Sequence, residues 1–179
     1  MEKEITVLDK TFVPFLASRD IDQAVTRLAG LLNEDYRTKN PLFLAILNGA
    51  FVFAADLFRK ISFPCEISFV KLASYKGTKS TGNVLTAIGL DVSLQNRHIV
   101  VLEDIVDTGK TLSAFVPQME AQQPASIAIC TLLHKPDAAE VPLQPDYVGL
   151  TIPNRFVVGY GLDYDGYGRN LTDIYQLKE

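Results

Sequence analysis

The chain has 179 residues, 47% of them hydrophobic and 21% charged, which suits one ordinary domain with a sizeable core. A net charge of −4 and a pI of about 5.2 exclude a general pull toward nucleic acid or anionic lipid, so any phosphate binding has to be local. No apolar run approaches the ~20 residues of a membrane span and Met1-Glu2-Lys3-Glu4 precedes no signal-peptide core, while Cys65 and Cys130 lack metal-type spacing; a cytoplasmic protein with two reduced thiols is expected.

In chain order, a short, partly apolar arm runs from Ile5 to Ser18. Asp20, with Gln23 three residues on, has the form of a capping box opening a helix whose Ile21, Val25, Leu28 and Leu32 share one face and which stops near Asn33. Leu42 to Leu47 reads as a buried strand, ended by Asn48-Gly49 and followed by a helix from about Phe51 to Arg59. Glu66 to Leu72 is the next strand. Ala73 to Asn83 is polar and twice broken by glycine, which fits either a solvated hairpin or a functional loop.

His98-Ile99-Val100-Val101-Leu102 has no period-two alternation, the pattern of a strand covered on both faces; Ala125 to Leu133 is a later one. Strands alternating with helices predict an α/β fold, a parallel-sheet core with right-handed crossovers in a single domain over 1–179.

The chemistry concentrates after the strand at 98–102. Its carboxyl end is the ligand edge of an open α/β sheet, and Glu103 and Asp104 stand there. Adjacent carboxylates accept hydrogen bonds from vicinal sugar hydroxyls, or hold Mg²⁺ directly or through its waters. Asp107-Thr108-Gly109-Lys110-Thr111 then supplies backbone N–H groups, a glycine free to take positive φ, two hydroxyls and a lysine just before a helical pattern at Leu112, Phe115, Val116 and Met119. Unpaired amides and the helix dipole favour a phosphate at such a place. The plain alternative is that Asp107 or Thr108 caps a helix and the acidic pair is solvated. A P-loop fails on spacing, because G-x-x-x-x-G-K-[ST] would need glycine at Asp104.

Glu-Asp-Ile-Val-Asp-Thr-Gly-Lys-Thr at 103–111 resembles the ribose-phosphate signature of the type I phosphoribosyltransferases, in the wording of their hypoxanthine-guanine branch. Phe-Val-Val-Gly-Tyr-x-Leu-Asp-Tyr at 156–164 is the other specific match, and the likeness extends from about Leu42 to Tyr175. The resemblance implies a parallel sheet flanked by helices, with a small hood from the N- and C-terminal segments. It also implies Mg²⁺, phosphoribosyl pyrophosphate and a 6-oxopurine base as partners, and a homodimer or homotetramer.

Residue by residue, the resemblance makes Asp107 the acceptor of the proton at purine N7. The turn from Asp107 through Thr108, Gly109, Lys110 and Thr111 becomes the cradle of the 5′-phosphate, while Glu103 and Asp104 hold ribose hydroxyls or metal. Lys135 donates to the 6-oxo group, as a donor-only side chain prefers a carbonyl to an amino group. Phe156 stacks on the purine and the backbone at Val157 reads its Watson–Crick edge, whereas Tyr160 is read as core. Asp163 holds a second Mg²⁺ and Arg169 meets the pyrophosphate. Asn48-Gly49 presents backbone amides to the pyrophosphate at a place where several relatives carry a basic residue and where the family peptide is often cis. Ser74-Tyr75 opens a mobile catalytic lid over about 73–86.

The activity implied is purine salvage: transfer of the phosphoribosyl group to hypoxanthine, and to guanine, with release of pyrophosphate. The second reading is a nucleotide-sensing regulator of the same fold that binds nucleic acid; the acidic balance and the lack of a Lys/Arg-rich stripe count against it.

Overall fold

A computed structural model describes residues 4–76 and 83–179, the side chains of 73–76 and 83–87 excepted. The main sheet contains β3 (Leu42–Leu47), β4 (Glu66–Lys76), β5 (Asn83–Ile88), β6 (His98–Val106), β7 (Ser126–His134) and β8 (Tyr147–Thr151), in the order β5-β4-β3-β6-β7-β8. All neighbours are parallel except β4 and β5. A second, antiparallel sheet joins the two chain ends in the order β1-β2-β10-β9, from β1 (Ile5–Val7), β2 (Lys10–Leu16), β9 (Val157–Val158) and β10 (Ile174–Leu177). This is the parallel core with a hood that the sequence implied.

The unbroken apolar runs arise because both faces of the main sheet are covered. Phe43, Ala45, Val100, Leu102 and Cys130 pack with buried residues of α1 (Ser18–Tyr36) and α2 (Phe51–Phe58). Leu42, Leu44, Ile46, Ile99 and Val101 point the other way, onto Leu112, Phe115 and Met119 of α3 (Lys110–Glu120). Alternate residues of each strand therefore feed two cores. Truncating the fully buried Phe115 to alanine would cost about 3–5 kcal/mol.

Three boundaries differ from expectation. First, α1 opens at Ser18 behind Ala17, which has no capping side chain, so Asp20 lies inside the first turn rather than at a capping box. The cap comes from far away: the Ser18 N–H donates to Asp173 at 2.6 Å, tying α1 to the hood. Second, α1 runs past Asn33 to Tyr36 because the Asn33 side chain leaves its own helix, donating to Lys60 O and accepting from Ser62 N–H. Third, β4 continues past Leu72 to Lys76 and β5 returns antiparallel to it from Asn83, so the segment read as a hairpin or a functional loop starts and ends in paired strands. Residues 77–82 of that segment lie outside the described residues.

The topology fixes the crevice. The chain leaves β3 for β4 on one side, while β6 continues to β7 and β8 on the other, so the strand order reverses between β3 and β6. Such a switch point is where open α/β sheets take ligands.

Candidate active site

β6 extends four residues beyond the expected end, which corrects the placement of the acidic pair: Glu103 and Asp104 lie within the strand rather than after it. They still face a ligand edge. Pairing of β6 with β3 stops at Ala45–Leu102, whereas pairing with β7 continues to Val106–His134, so β6 is open toward β3 from Glu103 onward. Adjacent strand residues point to opposite faces. Glu103 accordingly lines a cavity beside α3, and Asp104 lies against Gly49 on the turn after β3.

The cavity measures about 80 Å³, and its wall comprises Glu103, Ile105, Val106 and the turn residues Asp107, Thr108, Gly109 and Thr111, with Leu112 behind. Gly109 takes φ +77° at the mouth of α3, in the left-handed region where glycine carries no steric penalty. A Cβ there would also come within 2.8 Å of Val141. Amides and hydroxyls at a helix start around so small a space make a pocket for a tetrahedral anion. Lys110 is not part of that wall: its Nζ is paired with Glu140 at the surface and its N–H donates to the Thr108 hydroxyl.

At the rim, Lys135 follows the end of β7 and is 5% exposed, its N–H donating to Val106 O. Its Nζ meets the Asp107 carboxylate at 3.1 Å, so the buried lysine is no surface side chain. Phe156, in contrast, is 46% exposed, with Tyr164 edge-on at 5.9 Å and Phe12 behind at 6.2 Å. It offers an open aromatic face backed by hood residues. Val157 is buried in β9, paired with Gln176. Tyr160 is core, as expected.

The turn after β3 is assembled differently. The Leu47–Asn48 peptide is cis, and a Cβ on Gly49 would overlap the Asp104 carboxylate. A Cβ on Gly161 would in turn overlap Gly49 O, so hood and sheet meet through two glycines. Arg169 donates to Gly161 O at 2.6 Å and pairs with Asp163 at 2.7 Å; Asp163 also accepts from Gly166 N–H. Gly161 had no sequence signal beyond being a glycine in a dense turn. The stretch through Glu140, Val141 and Leu143 that backs the anion pocket had none.

Burial, and then Asp104, push the Glu103 carboxyl well above the ordinary range, and its Oε2 is buried with no hydrogen-bond partner. Burial likewise raises Asp104 to about 6, opposed by backbone hydrogen bonds and Arg169 and reinforced by Asp163. Buried carboxylates in this state gain most from an added cation. Among the described residues no three His, Cys, Asp or Glu side chains converge as a metal-holding group. The side chains of Ser74 and Tyr75 lie outside what is described.

The description "Phosphoribosyl transferase domain" belongs to a family model that matches residues 15–165. The chain belongs to the phosphoribosyltransferase family. A hypoxanthine-guanine phosphoribosyltransferase of Lactococcus lactis is 41% identical, covering 96% of this chain and 94% of that protein. A hypoxanthine-guanine-xanthine phosphoribosyltransferase of Tritrichomonas foetus is 39% identical over 89% of this chain and 88% of that protein. Among solved phosphoribosyltransferases, a hypoxanthine enzyme of Staphylococcus aureus superposes with a TM-score of 0.86 at 37% identity, covering 92% of this chain and 90% of that one. Among the described residues no helix is long and apolar enough to cross a membrane.

Proposed function

We propose that this phosphoribosyltransferase acts in purine salvage, transferring the 5-phosphoribosyl group from phosphoribosyl pyrophosphate to hypoxanthine, and to guanine as well. The pairing of a buried lysine with Asp107 at the edge of a phosphate-sized pocket carries the reading. The pocket receives the 5′-phosphate on the amides and hydroxyls of 107–111. Glu103 and Asp104 receive the ribose hydroxyls or, with Asp163, metal. Mg²⁺ fits the orphaned Glu103 oxygen and the raised Asp104, since it is usually held by one or two carboxylates together with substrate phosphates. When bound, Mg²⁺ supplies neutralisation of the developing pyrophosphate charge.

The chain's own residues do the rest. Phe156 stacks on the base, the Val157 backbone meets its edge, and Lys135 donates to the 6-oxo group. The bond from the anomeric carbon to pyrophosphate breaks, purine N9 bonds to that carbon, and the N7 proton passes to Asp107 and then to water. General acid–base help of this kind contributes about 10²–10⁴-fold. Arg169 and the Asn48-Gly49 amides hold the leaving pyrophosphate. The lid that the resemblance assigns to about 73–86, opening at Ser74-Tyr75, includes residues 77–82, which lie outside those described; its use would be to keep water from the cationic sugar. The protein works as a homodimer or homotetramer in the cytoplasm, the first of which light scattering on a sizing column checks.

The decisive assay follows both products. Incubation with phosphoribosyl pyrophosphate, Mg²⁺ and hypoxanthine should release pyrophosphate and form inosine monophosphate one for one, and a chelator should stop both. Pyrophosphate release without nucleotide, or no reaction at all, would overturn the reading.

A further inference from the structure

Tyr160 stands where a tyrosine is not needed for packing alone. Its backbone takes φ +50°, in the left-handed region that bulky residues rarely adopt, and it sits between Gly159 and Gly161, both also at positive φ. The ring is 8% exposed, and its N–H donates to Leu171 O at 2.8 Å. The hydroxyl reaches across to α2 and donates to Asp56 at 2.7 Å. α2 starts two residues after Gly49, and the residue after Tyr160 is Gly161, whose missing Cβ leaves room for the Gly49 carbonyl. Gly161 O is in turn the acceptor for Arg169. The Tyr160–Asp56 hydrogen bond thus closes a ring of contacts running through α2, the Asn48-Gly49 turn and Gly161, and Arg169 is tied to that ring at Gly161 O.

We propose that Tyr160 and Asp56 are positioning residues for the pyrophosphate half of the site, holding the turn after β3 against the hood in the form that receives phosphoribosyl pyrophosphate. The inference rests on the function proposed above. Neither side chain touches substrate; they act through Gly49 and Arg169. Without the hydroxyl, the hydrogen bond from hood to α2 is lost and only packing holds the turn to Gly161, so substrate binding has to restore the alignment first. The purine half, carried by Lys135 and Phe156, is not part of the ring.

Steady-state rates against each substrate, with Mg²⁺ and the second substrate saturating, test the assignment. Tyr160→Phe should raise KM for phosphoribosyl pyrophosphate about tenfold while kcat and the purine KM stay within about twofold. Asp56→Ala should match it, Asp56→Asn, which keeps an acceptor oxygen, should recover most of the loss, and Tyr160→Phe with Asp56→Ala should be no worse than either alone. An unmoved KM for phosphoribosyl pyrophosphate in a folded Tyr160→Phe protein would overturn the proposal. So would equal losses toward both substrates with a lowered melting point, the mark of general loosening. No turnover by the unmodified protein would instead overturn the functional reading, and this inference with it.

Discussion

Two turns face each other across the crevice, Asn48-Gly49 after β3 and Asp107–Gly109 after β6, and each leads from a strand into a helix. The second is hollow, enclosing a pocket of about 80 Å³ whose wall includes Glu103, Asp107, Thr108 and Thr111, with a left-handed glycine at the helix start. The first is filled: Gly49 is pressed between the Asp104 carboxylate and Gly161. The hollow turn offers an anion backbone dipoles, and of the two carboxyl residues in its wall Asp107 is paired with Lys135 while burial favours the neutral form of Glu103. The filled turn presents carboxylates, with Arg169 already paired to Asp163, so a polyanion there needs a cation of its own. We propose that one strand–turn–helix unit, used twice, gives a phosphate site at the hollow turn and a pyrophosphate site that needs a cation at the filled one.

Asp107→Asn probes the hollow side and should have the largest effect. It should lower kcat by about 10²–10⁴-fold with little change in the affinity for phosphoribosyl pyrophosphate, measured by calorimetry. Unchanged kcat would remove Asp107 from proton transfer.

The two glycines should fail in different ways. Gly49→Ala drives a methyl into the Asp104 carboxylate, an overpacking worth about 1–3 kcal/mol, and should chiefly weaken phosphoribosyl pyrophosphate binding in the presence of Mg²⁺. Gly109→Ala forces a side chain to φ +77° at about 1–2 kcal/mol and should chiefly weaken binding of the nucleoside monophosphate, with or without Mg²⁺. The same loss profile from both substitutions would erase the distinction between the turns.

The filled turn also predicts a pH dependence. The folded value of Asp104, about 6, lies above its ordinary 3.8, so between these values the folded protein holds more protons than the unfolded chain. Stability should therefore fall as pH rises from 3.8 through about 6, by up to about 3 kcal/mol from this group, with the raised Glu103 acting in the same direction. Asp104→Asn should remove its share, read as a flatter melting temperature between pH 5 and 7 in chelator. An equal slope in that variant would contradict the assigned burial. Smallest of all, Lys110→Ala should change KM for phosphoribosyl pyrophosphate by less than about twofold, as a surface pair with Glu140 contributes little.

The hollow turn was largely legible in the sequence because one contiguous stretch, 98–112, carries strand, carboxylates, turn and helix start. What the sequence blurred there was extent: four more residues of β6 hold pairing with β7 alone, which periodicity does not register. The filled turn was legible only through the resemblance, which supplied Asn48, Gly49, Asp104, Asp163 and Arg169 but gave Asp56, Tyr160 and Gly161 no part in it. Its parts come from residues 48–49, 56, 104, 160–161 and 169, and only the fold brings them together. The cap of α1 failed to be read for the same reason, as Asp173 reaches Ser18 from the far end of the chain. The hood followed from family resemblance rather than from pattern, since β9 and β10 are too short to show alternation.

The measurement that tests the central claim most directly is the initial rate of nucleotide formation from phosphoribosyl pyrophosphate and Mg²⁺, with hypoxanthine, guanine, xanthine, adenine and uracil offered separately. Turnover of hypoxanthine and guanine, with none of adenine or uracil, is the result predicted by a buried Lys135 that can only donate. Turnover of adenine at a rate comparable to hypoxanthine would contradict that role for Lys135, and failure of every base would contradict the account as a whole.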